Sequence, residues 1–409
     1  MKDSWKETTL GEVAEVIGGF AFKGEHFSNT EGFPVVKITD IKPPYVDIDN
    51  SQRIAIDHYD KDRIKKFLLG HGDYLVAMTG ATIGKVGRIA SHERAYLNQR
   101  VAKIEALQNI ADKDFVYYSV FSRNFSKFIE GYSSGSSVQQ NISADDIGMF
   151  PILLPPLPEQ KAIAAVLSSF DDKIELLRRQ NKTLESIAQT IFKEWFVKFK
   201  VKGEELKINS KTGLPDGWSA AKLPNVLGIN PVRNLKRGQF APYLDMKAMP
   251  TQGHRAEGCY NRKFSSGSKF ANGDTLLARI TPCLENGKTA FVDFLDDEEV
   301  GWGSTEFIVL RPKAPFPLFY GYLLGRSNAF RNFAIGQMTG SSGRQRVPAD
   351  SLADFDVIVP SDDILVRFSE LIKPMVQRLK VNAKEIQTLS KLRDLLLPKL
   401  MKGEIRVKD

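Results

Sequence analysis

The chain has 409 residues, 42% of them hydrophobic and 26% charged, the profile of a soluble globular protein long enough for two ordinary domains and connecting helices. Its 57 basic residues against 49 acidic ones leave a net charge of +8, which points to an anionic partner, nucleic acid first, although no arginine-rich tail carries the excess. No apolar run approaches the ~18–20 residues of a membrane span, the first ten residues lack the apolar core of a secretory signal, and two cysteines, Cys259 and Cys283, without zinc-ligand spacing, read as reduced thiols of a cytoplasmic protein.

Residues 1–157 read as one mixed α/β domain. Residues 5–16 predict a strand or turn followed by a short amphipathic segment, and residues 33–38 alternate well enough for a strand. Residues 73–78 form a buried strand that runs into a glycine-punctuated loop, Thr79-Gly80-Ala81-Thr82-Ile83-Gly84-Lys85. A further strand at 101–104, helical spacing over 114–128, a polar loop at 131–141 and a short apolar strand at 152–154 complete this first head.

From Pro158 to Phe199 apolar residues recur in alternating steps of four and three. They are Ile163, Leu167, Phe170, Ile174, Leu177, then Leu184, Ala188, Ile191 and Trp195, with Asn181 the one polar member of the series. That is the heptad seam of a coiled-coil helix, and such a helix needs a partner.

Beyond a charged linker at 200–216 the chain begins again. Gly273-Asp274-Thr275-Leu276-Leu277-Ala278-Arg279 parallels Gly72-Asp73-Tyr74-Leu75-Val76-Ala77-Met78, and residues 285–290 stand where 82–87 stood. Gly340-Ser341-Ser342-Gly343 echoes Gly135-Ser136-Ser137-Val138, and Val357-Ile358-Val359-Pro360 echoes Ile152-Leu153-Leu154-Pro155, both at an offset of 205 residues. The shared order of these motifs marks an internal duplication. Moving the seam by the same offset predicts a second long helix over residues 362–401, kinked or restarted at Pro374.

A parallel pairing of the two helices would bury Asn181 against Ile386 and Asn382 against Leu177, costing about 1–3 kcal/mol for each unmatched amide. An antiparallel pairing sets Asn181 against Asn382, Ile163 against Leu400, Leu184 against Leu379, Ala188 against Met375 and Trp195 against Phe368. Phe170 would then face Arg393, which would snorkel or stack on the ring. The expected fold class is therefore α+β. Two similar α/β heads, residues 1–157 and 202–361, are separated by long spacer helices at 158–201 and 362–402, which form an intramolecular antiparallel coiled coil with a pseudo-two-fold internal duplication and Asn181 and Asn382 setting register. The seam spans ~48 Å at 1.5 Å per residue, roughly 14 base pairs of B-DNA, so the expectation is a calliper for a bipartite, asymmetric DNA site.

The chemistry-bearing motifs are incomplete. Residues 80–86 fall one residue short of a phosphate loop and carry Val86 where Ser or Thr is needed; in the second half Pro282 replaces the leading glycine. Lys42-Pro43-Pro44-Tyr45 has lysine where an adenine methyltransferase tetrapeptide needs Asn or Asp. Asp216 with Asp245 and Lys247 is too loose for a nuclease, and the five histidines, His26, His58, His71, His92 and His254, lack ligand spacing and read as surface residues. No catalytic residue, metal ligand or cofactor of its own is expected.

The loops offer DNA chemistry instead. Thr79, Thr82 and Lys85, with Arg279 and Lys288 in the second half, sit in turns that can meet phosphates. Ser136, Ser137, Gln139, Gln140 and Asn141 in one head, and Ser341, Ser342, Arg344, Gln345 and Arg346 in the other, combine hydroxyls with amides or guanidinium groups. Arg reads guanine and Asn or Gln reads adenine by paired hydrogen bonds, while Ser and backbone N–H groups hold phosphate.

Two heads alternating with two long helices, the Leu-Pro-Pro-Leu-Pro-Glu-Gln start of the first helix (residues 154–160), the Trp5 … Leu10-Gly11-Glu12-Val13 opening and the Gly-Ser-Ser loops together resemble the specificity subunit of a type I restriction–modification system. The resemblance spans the whole chain, departing at Pro360-Ser361-Asp362-Asp363, where the second helix lacks the proline-rich start. It implies a non-catalytic, cytoplasmic subunit that binds double-stranded DNA, recruits two adenine methyltransferase subunits along its helices and is joined by translocase-nuclease subunits. The cofactors of catalysis would belong to those partners. The alternative is a coiled-coil scaffold whose two heads bind protein.

Overall fold

The computed structural model describes residues 5–133, 141–341 and 343–407. The chain divides into two compact units, Met1–Ile174 with Thr388–Asp409, and Glu175–Gln387. Two 40-residue helices, Leu157–Phe196 and Asp362–Met401, contribute to both units.

In the first unit, the strand Tyr74–Ala77 lies between Val101–Ala106 and Val86–Arg88 in a six-stranded sheet. Every side chain of Tyr74–Ala77 is buried, as an unbroken apolar run requires. One face packs against helix Lys113–Val120 and the start of the first long helix, the other against a five-stranded sheet that includes Phe33–Val36 and Ala95–Leu97. The opening strand Lys6–Thr9 pairs antiparallel with Pro151–Leu154, just before the long helix.

The residues that start this helix have identifiable duties. Gln160 is almost fully buried; its amide donates to the Pro155 carbonyl at 2.8 Å and accepts from the Asp112 N–H at 2.8 Å, closing polar groups that water cannot reach. Glu159 accepts from the Trp5 indole at 3.0 Å and from Arg406 at 2.7 Å, so one carboxylate holds two segments distant in sequence. The second long helix starts differently. Ser361 donates to Asp363 at 2.6 Å, and the Ser361 carbonyl receives the Ile364 N–H.

The second unit repeats the order. Thr275–Ala278 lies between Phe307–Pro312 and Thr289–Phe291, Ser219–Lys222 pairs with Asp356–Val359, and a second four-stranded sheet carries Phe240–Leu244 and Gly301–Gly303. The predicted linker is partly structured, Lys200–Val201 pairing with Glu204–Glu205 through a turn at Gly203.

The long helices run antiparallel within each unit. In the first, Ile163 and Leu167 share a core with Leu397 and Leu400. In the second, Leu184, Ala188 and Trp195 pack with Met375, Leu379, Ile372 and Phe368, the Trp195 and Phe368 rings 5.8 Å apart. Burying such large side chains contributes about 1.5–3 kcal/mol each. Asn382, fully buried, donates to Asn181 at 2.8 Å. Pro374 does not restart the second helix, which runs without a break from Asp362 to Met401. Arg393 is held by an ion pair and not by a ring alone. It donates to Asp171 at 2.6 Å and lies over the Phe121 ring at 5.5 Å, because a neighbouring carboxylate attracts a guanidinium more strongly than a ring does.

His254 also corrects the sequence reading: it is buried, not on the surface. Its ring lies 3.7 Å from Glu185 on the first long helix and 3.6 Å from Asp293. Burial alone would lower its pKa, but the two carboxylates outweigh that and hold it above the ordinary histidine value.

Candidate nucleic-acid interface

Beyond the strand Tyr74–Ala77, three segments of the first head converge on one residue. Met78 N–H donates to the Arg100 carbonyl at 3.0 Å, and the Met78 carbonyl accepts from Ile142 N–H at 3.0 Å. Thr79 and Asn141 are bridged in antiparallel fashion. The second head repeats each contact. Arg279 N–H donates to the Glu306 carbonyl at 3.0 Å, Val347 N–H donates to the Arg279 carbonyl at 2.8 Å, and Ile280 is bridged to Arg346.

The glycine loops match as well. Ala77 N–H donates to the Lys85 carbonyl and Ala278 N–H to the Lys288 carbonyl, at 2.9 and 3.0 Å. Gly84 and Gly287 end the two loops at φ of 75° and 73°, a left-handed backbone suited to glycine. A Cβ on Gly84 would also approach Ile129 at 3.1 Å. The loops are tight turns, not phosphate cradles.

The side chains on this common frame differ. In the first head Arg100 is exposed, and its Nη1 donates to Asn141 Oδ1 at 3.4 Å, a long contact. In the second, Arg346 Nε donates to both oxygens of Glu306, at 2.8 and 3.0 Å. Arg279 stands where the first head has Met78, with its Nε buried and without a hydrogen-bond partner.

The remaining sequence-predicted residues divide. Lys85, Ser341 and Arg344 are exposed beside the frame. Thr79 is buried, and Thr82 is half-buried with its hydroxyl 3.5 Å from the Thr79 carbonyl. The expected availability of Lys288 to phosphate is corrected, since its ammonium is half-buried and donates to the Met246 carbonyl at 2.9 Å. Gln345 is half-buried and exchanges hydrogen bonds with Thr281, its N–H donating to Oγ1 at 3.1 Å. Ser136, Ser137, Gln139, Gln140 and Ser342 lie outside the described residues.

Arg100 and Glu306 did not emerge from the sequence. Each immediately precedes a core strand, Val101–Ala106 or Phe307–Pro312, so extending the duplication to these strands would have paired them. Among the described residues no cluster of three or more His, Cys, Asp or Glu side chains could hold a metal ion, and no helix is long and apolar enough to cross a membrane.

Comparison with known proteins agrees with this architecture. Residues 2–186 match the family described as the type I restriction modification DNA specificity domain. The chain is 27% identical over 324 residues to the type I restriction enzyme MjaIX specificity subunit of Methanocaldococcus jannaschii, covering 75% of this chain and 73% of that protein. It is 32% identical over 169 residues to the EcoAI specificity subunit of Escherichia coli, covering 39% of this chain and 28% of that one. The crystal structure of the type I restriction-modification S subunit from M. genitalium has the same fold, with a TM-score of 0.58 at 17% identity over 97% of this chain and 96% of the other. The chain is thus similar to type I restriction–modification specificity subunits over most of its length, and its residues 2–186 match their DNA specificity domain.

Proposed function

We propose that this chain is the non-catalytic subunit that selects the DNA target of a type I restriction–modification complex, each head reading one half of a bipartite, asymmetric site in double-stranded DNA. The observation that carries the reading is the repeated frame. Identical backbone contacts in the two heads present Arg100 and Asn141 in one and Glu306, Arg346 and Arg279 in the other. One scaffold with two sets of hydrogen-bonding side chains suits two different half-sites. The candidate contacts are Lys85, Asn141, Arg279, Ser341, Arg344 and Arg346, together with Ser136, Ser137, Gln139, Gln140 and Ser342. The net charge of +8 supports an anionic partner.

In this reading the exchangeable heads are residues 1–157 and 202–361, and the two 40-residue helices set the separation of the half-sites. The same helices would dock two adenine methyltransferase subunits, with translocase-nuclease subunits joining that core. The test is selection of the full chain on a random double-stranded DNA library at two salt concentrations. One enriched bipartite sequence, bound more weakly at higher salt, is expected. Exchanging residues 1–157 for the corresponding head of another specificity subunit should change one half of that sequence only. No enrichment, or a change in both halves, would count against the proposal.

A further inference from the structure

We propose that Glu306 is a positioning residue that presents Arg346 to a guanine in the half-site read by the second head. The inference rests on the DNA-reading function proposed above and adds a base and a mechanism to it.

The geometry of the pair carries the argument. Arg346 accepts no help from the strand ladder beyond its backbone, which is tied to Thr339 and bridged to Ile280; its side chain is exposed at 45% and would sample many rotamers if left alone. Glu306 removes that freedom. Both carboxylate oxygens receive the Nε–H edge, at 2.8 and 3.0 Å, and the Glu306 backbone is held in place, its carbonyl accepting from Arg279 N–H. A carboxylate on the Nε edge fixes the guanidinium plane. The terminal nitrogens keep only a 3.4 Å contact from Nη1 to the Arg344 carbonyl, too long to compete with a good base contact. Two adjacent N–H donors on a fixed plane match the O6 and N7 acceptors that guanine shows in the major groove. The charge balance fits too, since the Glu306 carboxylate would repel backbone phosphate and so disfavours Arg346 as a phosphate clamp.

The first head sharpens the assignment by contrast. At the positions of Glu306 and Arg346 it carries Arg100 and Asn141, so a cation stands where the second head has its carboxylate. The buttressed arginine therefore belongs to one half-site alone.

The experiment is library selection with the full chain and four variants, Arg346→Lys, Glu306→Ala, Glu306→Gln and the double variant Glu306→Ala with Arg346→Lys. Lysine keeps the charge and loses the fork, so Arg346→Lys should erase a guanine preference at one base pair by ~10- to 100-fold, the discrimination of one paired base contact. All other positions and the salt dependence should stay as they were. Glu306→Ala should weaken the same position, Glu306→Gln less so, and neither should add to Arg346→Lys. A bipartite motif indifferent to Arg346→Lys would overturn this inference alone. Loss spread evenly over the second half-site in Glu306→Ala, or a change at a different base pair, would also overturn it, by making Glu306 a folding residue or a base reader. Absence of any bipartite motif with the unaltered chain would overturn both this inference and the function beneath it.

Discussion

Each unit fastens its head to the first long helix through one buried carboxylate, and the two fastenings use different cations. In the first unit Asp171 accepts from Tyr118 at 2.7 Å and from Arg393 of the second long helix at 2.6 Å. In the second, Glu185 accepts from the Tyr322 hydroxyl, which Arg326 also reaches at 3.2 Å, while His254 supplies the nearby charge. The mechanical task is the same: a tyrosine from a head helix meets an acid on the spacer. Arginine makes the first fastening permanent, because its charge persists at any working pH. Histidine makes the second one titratable. A duplicated fold has kept a structural contact while letting its chemistry diverge, as it has at the proposed base-reading frame.

The largest effect should come from breaking the permanent fastening. Arg393→Met leaves Asp171 as a buried anion with only Tyr118 beside it, a loss of about 3–5 kcal/mol for a broken buried pair. Restoring polarity balance with Asp171→Leu in the same chain should recover most of that loss, since an apolar pair of similar volume is often neutral. Denaturant unfolding followed by hydrogen exchange in helix Lys113–Val120 distinguishes the two variants. If Arg393→Met unfolds at the same denaturant concentration as the parent, the ion pair is not what holds this head to its helix.

The next effect concerns the asparagine layer, and it should be asymmetric. Asn382 is fully buried, with its Oδ1 unpartnered and its amide nitrogen on Asn181, whereas Asn181 is only half-buried. Asn181→Leu leaves a buried amide with one 3.5 Å contact to Gln180 and should cost about 1–3 kcal/mol. Asn382→Leu removes the buried amide itself and leaves Asn181 within reach of water, so it should cost much less or stabilise. Equal losses from the two substitutions, measured as shifts in the unfolding midpoint, would remove this account of the layer.

Much of this was legible in the sequence because it depends on periodicity and repetition. The heptad steps from Ile163 to Trp195 located the first helix, the 205-residue offset located the second, and the clash of asparagine with apolar residues in a parallel pairing chose the antiparallel one. Short strands were not legible: Arg53–Ile54 and Leu68–Leu69 have two residues each, too few to show alternation, and only their sheet partners make them strands. The repeat Lys202-Gly203-Glu204 and Lys402-Gly403-Glu404 marks the turn after each long helix, but its spacing of 200 residues differs from the offset that revealed the rest. Arg393 occupied a seam position that periodicity alone assigned to packing; its ion pair with Asp171 requires the neighbouring helix. His254 sits among Gln252, Gly253, Arg255 and Glu257, a composition that reads as a solvated loop. Its burial depends on Glu185 and Asp293, which are distant in sequence.

The titratable fastening gives the smallest effect and a directional one. The groups around His254 are Glu185 from the long helix, Asp293, Arg255 on Asp293 at 3.1 Å, and Tyr322 with Arg326 behind it. Burial disfavours the imidazolium, yet Asp293 and Glu185 outweigh it, so the folded pKa lies above the unfolded value of about 6.5. The folded state therefore holds the proton more tightly than the unfolded one. This contribution is fully present below pH ~6.5 and is lost as pH rises through the folded value. Tyr322 does not titrate in that window, because burial and Glu185 push its pKa well above the ordinary tyrosine value. Raising the pH from 6 to 8 should therefore lower the protection of amides, relative to their intrinsic exchange rate at each pH, around residues 250–256 and in helix Phe319–Arg326, with no matching change in Lys113–Val120. His254→Asn should flatten that dependence. A pH response of equal size in both head helices would mean that the two fastenings do not differ in the way their cations require.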